Sequence, residues 1–353
     1  MFYRECGNYK ATYKKDMAIF PIPLDRWGFF TIMILALLVV PLLANDYWLS
    51  SIIIPFLIFS LSALGLNFLT GYAGQLSLGH AAFMAVGAYG SVILYGRYEF
   101  PFLLSLLGGG LVAAGVGALF GIPSLKIKGF YLAVSTLAAQ FIIHWGITHS
   151  KWISGGGVYA TVDTPKLYLF GWLLDTLVEK YYLTLVVVVV LVVFGKNLVR
   201  SQIGRAWMSI RDMDVASEII GVSQFRFKLL AFAVSSFYAG VAGGLLAFVY
   251  YMAANIEEFH LHLSFKLLGM IIIGGMGSVL GSFLGAGFIV LLPIFINRLV
   301  TGWGVLFPID LLANLELMIF GGLIIFFLIV EPFGLARLWL TIKDKLRLWP
   351  FPY

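Results

Sequence analysis

GYAGQLSLGHAAFMAVGAYG, residues 71 to 90, follows directly on a run of apolar residues, Trp48 to Leu69, long enough to cross a membrane. Five of its twenty residues are glycine, and it carries Gln75, Ser77 and His80. Glycine weakens helices and polar groups are costly in hydrocarbon. Such a stretch at membrane depth must be covered by protein or line a water-filled cavity. It reads as a broken helix inside a bundle of membrane-spanning helices.

Composition supports that class. Of 353 residues 61% are hydrophobic and 11% charged, with a mean hydropathy of +0.97, whereas soluble domains carry about a quarter charged residues. The fold class is therefore all-α: a polytopic transmembrane helical bundle with glycine-broken or re-entrant helices. Cys6 is the single cysteine, which excludes an intramolecular disulfide framework and a multi-cysteine zinc site. The first apolar run starts at Trp27, too deep for a cleavable signal.

Hydropathy marks spans at Trp27 to Ala44, Trp48 to Leu69, Phe102 to Ile122, Phe130 to Ile147, Tyr182 to Phe194, Phe227 to Tyr251 and Pro308 to Val330. Two regions are less regular: Leu78 to Gly96, and Phe265 to Ile296, which GGMGSVLGS interrupts. The second could hold two short spans joined by a glycine turn, or one span and a re-entrant piece. Counting two gives about ten spans. Short cytoplasmic loops collect Lys and Arg. Residues 1–26, 123–129, 196–228 and the tail after 336 hold 17 of the 23 basic residues. Ten spans place all four on the cytoplasmic side, with both termini. The expected organisation is an N-terminal segment over 1–26, a membrane domain over 27–334 with a water-facing loop at 195–228, and a tail over 335–353. The formal net charge of +6 is then orientation and attraction to anionic lipid, not a nucleic-acid surface.

Catalytic signatures are missing from the sequence. The phosphate-cradling GxxxxGK[ST] loop is absent: the only Gly-Lys pair, Gly195-Lys196, runs into Asn197. The histidines (His80, His144, His149, His260, His262) show no HExxH spacing, and His260 with His262 could hold a metal only on an extended strand. No catalytic residues and no metal site are expected. Glu316 is the one acid expected within a span; Lys266 and Glu331 lie near span ends. For Glu316, a functional group and a buried structural pair remain equal readings.

The polar groups at the glycine-rich breaks, Asn67, Tyr72, Gln75, Ser77, His80 and Ser278, are candidates for lining a solute path. Each could equally cap a helix or join two helices. The two breaks share a Gly-x-x-Gly opening, Gly71 and Gly74 against Gly274 and Gly277, as counterparts in a weak internal repeat would. In the loop 195–228, Ala206, Ile210, Met213, Ala216 and Ile220 follow helical spacing, Arg211 can pair with Asp214, and Gly221 supplies a stop. One short amphipathic helix is expected, lying on the membrane or docking into a partner.

LSALGLNFLTGYAGQLSLGHAAFMAVGAY (61–89), PSLKIKGFYLAVSTLA (123–138), the SGGG of 154–157, RSQIGRAWMSIRDMDVASEIIGVSQFRFKLLAF (200–232), AGVAGGL (239–245) and GGMGSVLGSFLGA (274–286) together carry a resemblance. Over roughly residues 28–334 the chain is similar to the branched-chain amino acid ABC importer permeases, and within them to the second, M-type subunit. The resemblance implies a bacterial inner-membrane location, a second homologous permease subunit, two cytoplasmic ATPase subunits that bind ATP and Mg, and an extracytoplasmic solute-binding protein; it implies no cofactor in this chain. It also implies that residues 206–221 are the helix seated in the ATPase, with Arg205, Arg211, Asp214, Ala216, Glu218 and Gly221 as coupling residues. Two departures bear on the solute. Ser154-Gly155-Gly156-Gly157-Val158-Tyr159 displaces the last glycine of the usual outer-loop pattern, and Lys266 stands where an acid is common. Relatives of this type carry urea, short amides and aromatic carboxylates, so the solute stays open. The alternative is a stand-alone channel or secondary carrier for a small polar solute, which would leave the 195–228 loop unexplained.

Overall fold

The computed structural model describes residues 12, 23–124, 130–156, 160–169, 171–302, 309–331 and 333–348. Expectations that rest on most of 1–22, on 125–129, on 157–159 and on the Glu316 side chain lie outside the described residues. The described residues are 82% helical, and the strands among them form only two short ribbons. One pairs Val162–Asp163 with Ala253–Ala254 and the other Tyr168–Leu169 with Trp172–Leu173, both antiparallel.

The helices, in order, are α1 (Arg26–Leu43), α2 (Asp46–Tyr72), α3 (His80–Gly96), α4 (Phe102–Ser124), α5 (Phe130–His149), α6 (Leu177–Arg200), α7 (Gln202–Asp212), α8 (Asp214–Ile219), α9 (Gln224–Tyr250), α10 (Leu261–Gly274), α11 (Val279–Gly302), α12 (Ile309–Val330) and α13 (Gly334–Leu348). Seven of them, α1, α2, α4, α5, α6, α9 and α11, are long and apolar enough to cross a membrane. The bent pair α12 and α13 makes an eighth if taken as one span. This is fewer than the expected ten, and the difference sits at the two glycine-rich breaks. There α3 and α10 have only 17 and 14 residues, about 25 and 21 Å of helix against a hydrocarbon core of about 30 Å.

Burial sorts centre from periphery. The most apolar window of α2 is 83% buried and that of α9 72%, whereas that of α1 holds no buried residue. A helix apolar on every side has no preferred outer face; α2 accordingly buries Ile58, Leu61, Leu64 and Leu66 all round. α3, α4 and α9 approach one another through small residues. A Cβ on Gly87 would collide with the backbone of Gly240, one on Gly109 with Ser91, and one on Gly243 with the backbone of Met84. Backbones this close are the usual packing of apolar helices in lipid, where interhelical burial yields no hydrophobic gain.

Two ends of the bundle can now be distinguished. One carries the β ribbons and the hydrogen bond from the Tyr89 hydroxyl to the Ala160 carbonyl. The other carries the α7–α8 loop and the start of α13, and both glycine-rich breaks meet this loop end.

Candidate functional site

α2 leaves regular helix through a wide turn at Phe68–Tyr72. The amide of Ala73 bonds back to Phe68 and that of Gln75 to Leu69, which leaves the Gly71 carbonyl facing outward at the helix C-terminus. Gly74 takes φ +69, a conformation that favours glycine. The chain then turns back into the bundle without helix until His80. His80 Nε2 lies 3.1 Å from the Ser62 carbonyl, and Ser62 is about 13 Å up the α2 axis from Gly71. Helix α3 is short because extended backbone covers part of the depth.

Irregular backbone there is tolerated because neighbouring helices satisfy it. The amide of Leu78 donates to Thr136 Oγ1 (2.9 Å), that of Ala81 to Ser264 Oγ (2.9 Å), and that of Ala82 to Gln140 Oε1 (2.8 Å). Gln140 Nε2 in turn holds the Phe259 carbonyl at 2.8 Å. Thr136, Gln140 and Ser264 do not figure in the sequence reading. The available signal is their polarity in apolar helices, with Thr136 and Gln140 one turn apart.

The second break docks on the first. Asn67 is fully buried; its Nδ2 donates to the Ser278 carbonyl (2.8 Å) and Ser282 Oγ (2.9 Å), and its Oδ1 accepts from the Gly277 amide (2.8 Å). One side chain thus clamps the end of α2 to the start of α11. A Cβ at Gly71 would collide with the Gly277 amide and with Asn67 itself. The structure therefore brings the two Gly-x-x-Gly openings into direct contact.

The six pathway candidates fall into two groups. Asn67 and Ser278 make the interhelical hydrogen bonds just described, and Tyr72 packs its ring 6.1 Å from that of Phe68. Gln75, Ser77 and His80 are also buried, yet both amide atoms of Gln75, Ser77 Oγ and His80 Nδ1 have no partner among the described residues. Buried polar atoms of this kind are uncommon and call for a cause.

Helix α7 is fastened to this junction. Trp207 is fully buried, donates its indole N–H to the Phe227 carbonyl (2.8 Å) and lies tilted against Phe68, ring centroids 6.3 Å apart. Arg211 Nη1 donates to the outward Gly71 carbonyl at 2.8 Å, a cation at a helix C-terminus, where the macrodipole favours it. Both breaks make room for this arginine. A Cβ on Gly74 would lie 2.9 Å from Arg211 Cγ, and one on Gly277 3.1 Å from its guanidinium. Arg211 also meets the carboxylate of its neighbour Asp212, at 2.9 Å. Trp207 also escaped the sequence reading, because the apolar stripe was traced through Ala206 and Ile210.

The single expected helix over 206–221 is two. Met213 is extended (φ −150, ψ 95) between α7 and α8. Acids disfavour a helix C-terminus and favour an N-terminus, so Asp214 begins a new helix instead of prolonging the old one. The stripe splits with it. Ala206 and Ile210 are buried against the bundle, whereas Met213, Val215, Ile219 and Ile220 are exposed, Ile219 by 80%. Ala216 and Glu218 are exposed beside them. Gln224 Nε2 ties the loop's return to the Asp214 carbonyl (2.8 Å) and to Glu218 (3.2 Å). Gly221 ends α8 at φ +90, its amide donating to the Glu218 carbonyl. Arg205 lies apart, bonded to the Arg200 carbonyl.

At the opposite end, His260 pairs with Glu257 and lies 5.3 Å from the His144 ring. No group of three or more His, Cys, Asp or Glu able to hold a metal occurs among the described residues. Lys266 places its ammonium 5.9 Å from the Phe59 ring.

Comparison with known proteins places this arrangement. Residues 48–328 match the family described as branched-chain amino acid transport system, permease component. The high-affinity branched-chain amino acid transport permease LivM of Escherichia coli strain K12 is 32% identical over 79% of this chain and 68% of its own length. LivM of Salmonella typhimurium is 35% identical over 65% of this chain and 59% of its own length. The autoinducer 2 import system permease LsrC of Klebsiella pneumoniae is 27% identical over 58% of each chain. No solved structure matches.

Proposed function

The chain belongs to the branched-chain amino acid ABC transporter permease family, and from that membership we propose that it forms half of a membrane passage that separate ATPases drive. A second homologous permease supplies the other half. Two water-side ATPase subunits carry the ATP and Mg, and an external binding protein delivers the solute. The chain itself takes no cofactor and makes or breaks no bond. In this reading it sits in a bacterial inner membrane with both termini and the α7–α8 loop cytoplasmic.

The observation that carries the reading is the bond from Arg211 to the Gly71 carbonyl. An exposed apolar knob, Met213 to Ile220, stands on a loop whose other half is fastened through Arg211 to the point where both broken helices meet. A displacement of the knob by an ATPase must therefore act on the breaks. ATP shifts the passage only by as much as its contacts differ between two states, and closure of the ATPase pair would provide that difference by moving the two α8 segments together.

Gln75, Ser77 and His80 are the proposed lining of the path. Their unpartnered atoms would find partners when the breaks part and water or solute enters. Solute choice rests mainly with the binding protein: the relatives' names include branched-chain amino acids and autoinducer 2, so one permease framework serves dissimilar solutes. A cysteine at Ile219 (Ile219→Cys, with Cys6→Ser) tests the docking. It should cross-link to the ATPase in the co-expressed complex, and labelling that proceeds equally with and without the ATPase would overturn it.

A further inference from the structure

The loop end carries a second water-side element with no role in the account above. Helix α13 follows the span α12 after a break of only a few residues and bends away from it by 54°. Its fifteen residues, GLARLWLTIKDKLRL, hold four basic residues and one acid. About 22 Å of helix with that charge cannot cross a hydrocarbon core. Leu335, Leu338, Trp339 and Ile342 recur at i, i+3, i+4 and i+7, one stripe of the helix. Leu338, Trp339 and Ile342 are 40 to 50% exposed in the bundle, and Arg337 and Lys345 are exposed too. A helix so patterned, with tryptophan on its apolar stripe and cations beside it, suits the boundary between acyl chains and headgroups. Its position, directly after the apolar helix α12 and at the end of the bundle that carries the α7–α8 loop, puts it there.

The first turn of α13 is seated on the second glycine-rich break. Gly334 takes φ +68, and a Cβ on it would lie 2.5 Å from the Gly275 amide and 2.7 Å from the Ile273 carbonyl. A Cβ on Gly275 would lie 2.6 Å from the Phe333 carbonyl and 3.1 Å from Ala336 Cβ. Two residues further on, Gly277 bonds to Asn67. The tail and the junction are thus one packed unit.

We infer that α13 is an interfacial helix that binds the anionic surface of the membrane its own chain spans, and that this binding steadies the glycine-rich break at 274–278. The occupant of its exposed stripe is lipid. The charge excess is of the sign anionic headgroups attract, and each basic residue near such a surface raises occupancy about fivefold. The inference needs only the membrane-spanning fold and does not depend on the ATPase reading.

The test is amide hydrogen exchange on the full chain in nanodiscs of phosphatidylcholine alone or with phosphatidylglycerol. With phosphatidylglycerol, peptides covering 334–348 and 270–280 should exchange several-fold more slowly, and salt should reverse the change. A Lys343→Gln, Lys345→Gln double variant, made on a surface segment and folding normally by size exclusion, should lose the difference. Equal exchange of the tail in both discs would overturn the inference, as would protection that appears only when an ATPase is added. A tail protected by anionic lipid over an unchanged 270–280 would remove the link to the break.

Discussion

Replacing Arg211 by glutamine breaks the charge-assisted bond from the loop to the Gly71 carbonyl without disturbing the core. Its Nη1 bond to the Gly71 carbonyl is charge-assisted and 2.8 Å long, and such bonds contribute about 1.5–3 kcal/mol. The side chain is 37% exposed, which argues for the lower end, about 1.5 kcal/mol, or roughly tenfold in the equilibrium between fastened and loose loop. The exposed pair with Asp212 adds at most about 1 kcal/mol and is screened by salt. In proteoliposomes holding the assembled transporter, Arg211→Gln should lower uptake per ATP hydrolysed by roughly tenfold, with ATP hydrolysis and ATPase binding retained. Asp212→Asn removes the exposed pair and keeps the Gly71 bond, so it should change uptake less than about twofold. If Arg211→Gln transports at the same ratio as the native chain, the loop does not act through Gly71 and the reasoning fails.

Four further outcomes follow from the same geometry. Asn67→Leu removes the three hydrogen bonds of a buried side chain and leaves the Gly277 amide without that partner; thermal unfolding in detergent should show a loss of about 2–4 kcal/mol, and an unchanged midpoint would contradict the clamp. Gln75→Leu removes an already unpartnered amide, so stability should hold or rise while uptake falls, and full uptake would exclude Gln75 from the path. Gly221→Ala places a side chain at φ +90; it should destabilise α8 by about 1 kcal/mol and weaken ATPase binding, measurable by co-purification. Glu218→Ala loosens the tie to Gln224, and transport with native ATPase affinity would remove Glu218 from the coupling residues.

Much of the fold was legible because hydrocarbon imposes a simple rule on length and polarity. The long apolar runs became α1, α2, α4, α5 and α9 close to their expected limits, whereas α6 extends past Tyr182 and Phe194 at both ends and α11 arises from the irregular region Phe265 to Ile296. The excess in span number came from the breaks. Hydropathy registers that 78–96 and 265–274 are apolar, but not that the chain before His80 climbs back into the bundle unwound. The similarity of the two Gly-x-x-Gly openings was visible in the sequence; their contact was not, since it depends on Asn67, a residue whose partners lie more than two hundred positions away. Met213 illustrates the limit of periodicity. Ala206, Ile210, Met213 and Ile220 fit one helical stripe, yet the paired acids Asp212 and Asp214 divide it, and the two halves face opposite ways. Arg211 was picked out as a surface coupling residue. Its inward bond to Gly71 could not be read from local spacing, because the acceptor exists only where α2 unwinds.

The central claim is that this chain moves solute only under the drive of partner ATPases. It is tested by uptake into proteoliposomes of the permease pair with its binding protein, with ATPases that are native, mutated in their phosphate loops, or omitted. The account predicts accumulation with native ATPases alone and none in the other two preparations. Uptake by the permeases without ATPases would contradict it and identify a channel or carrier instead.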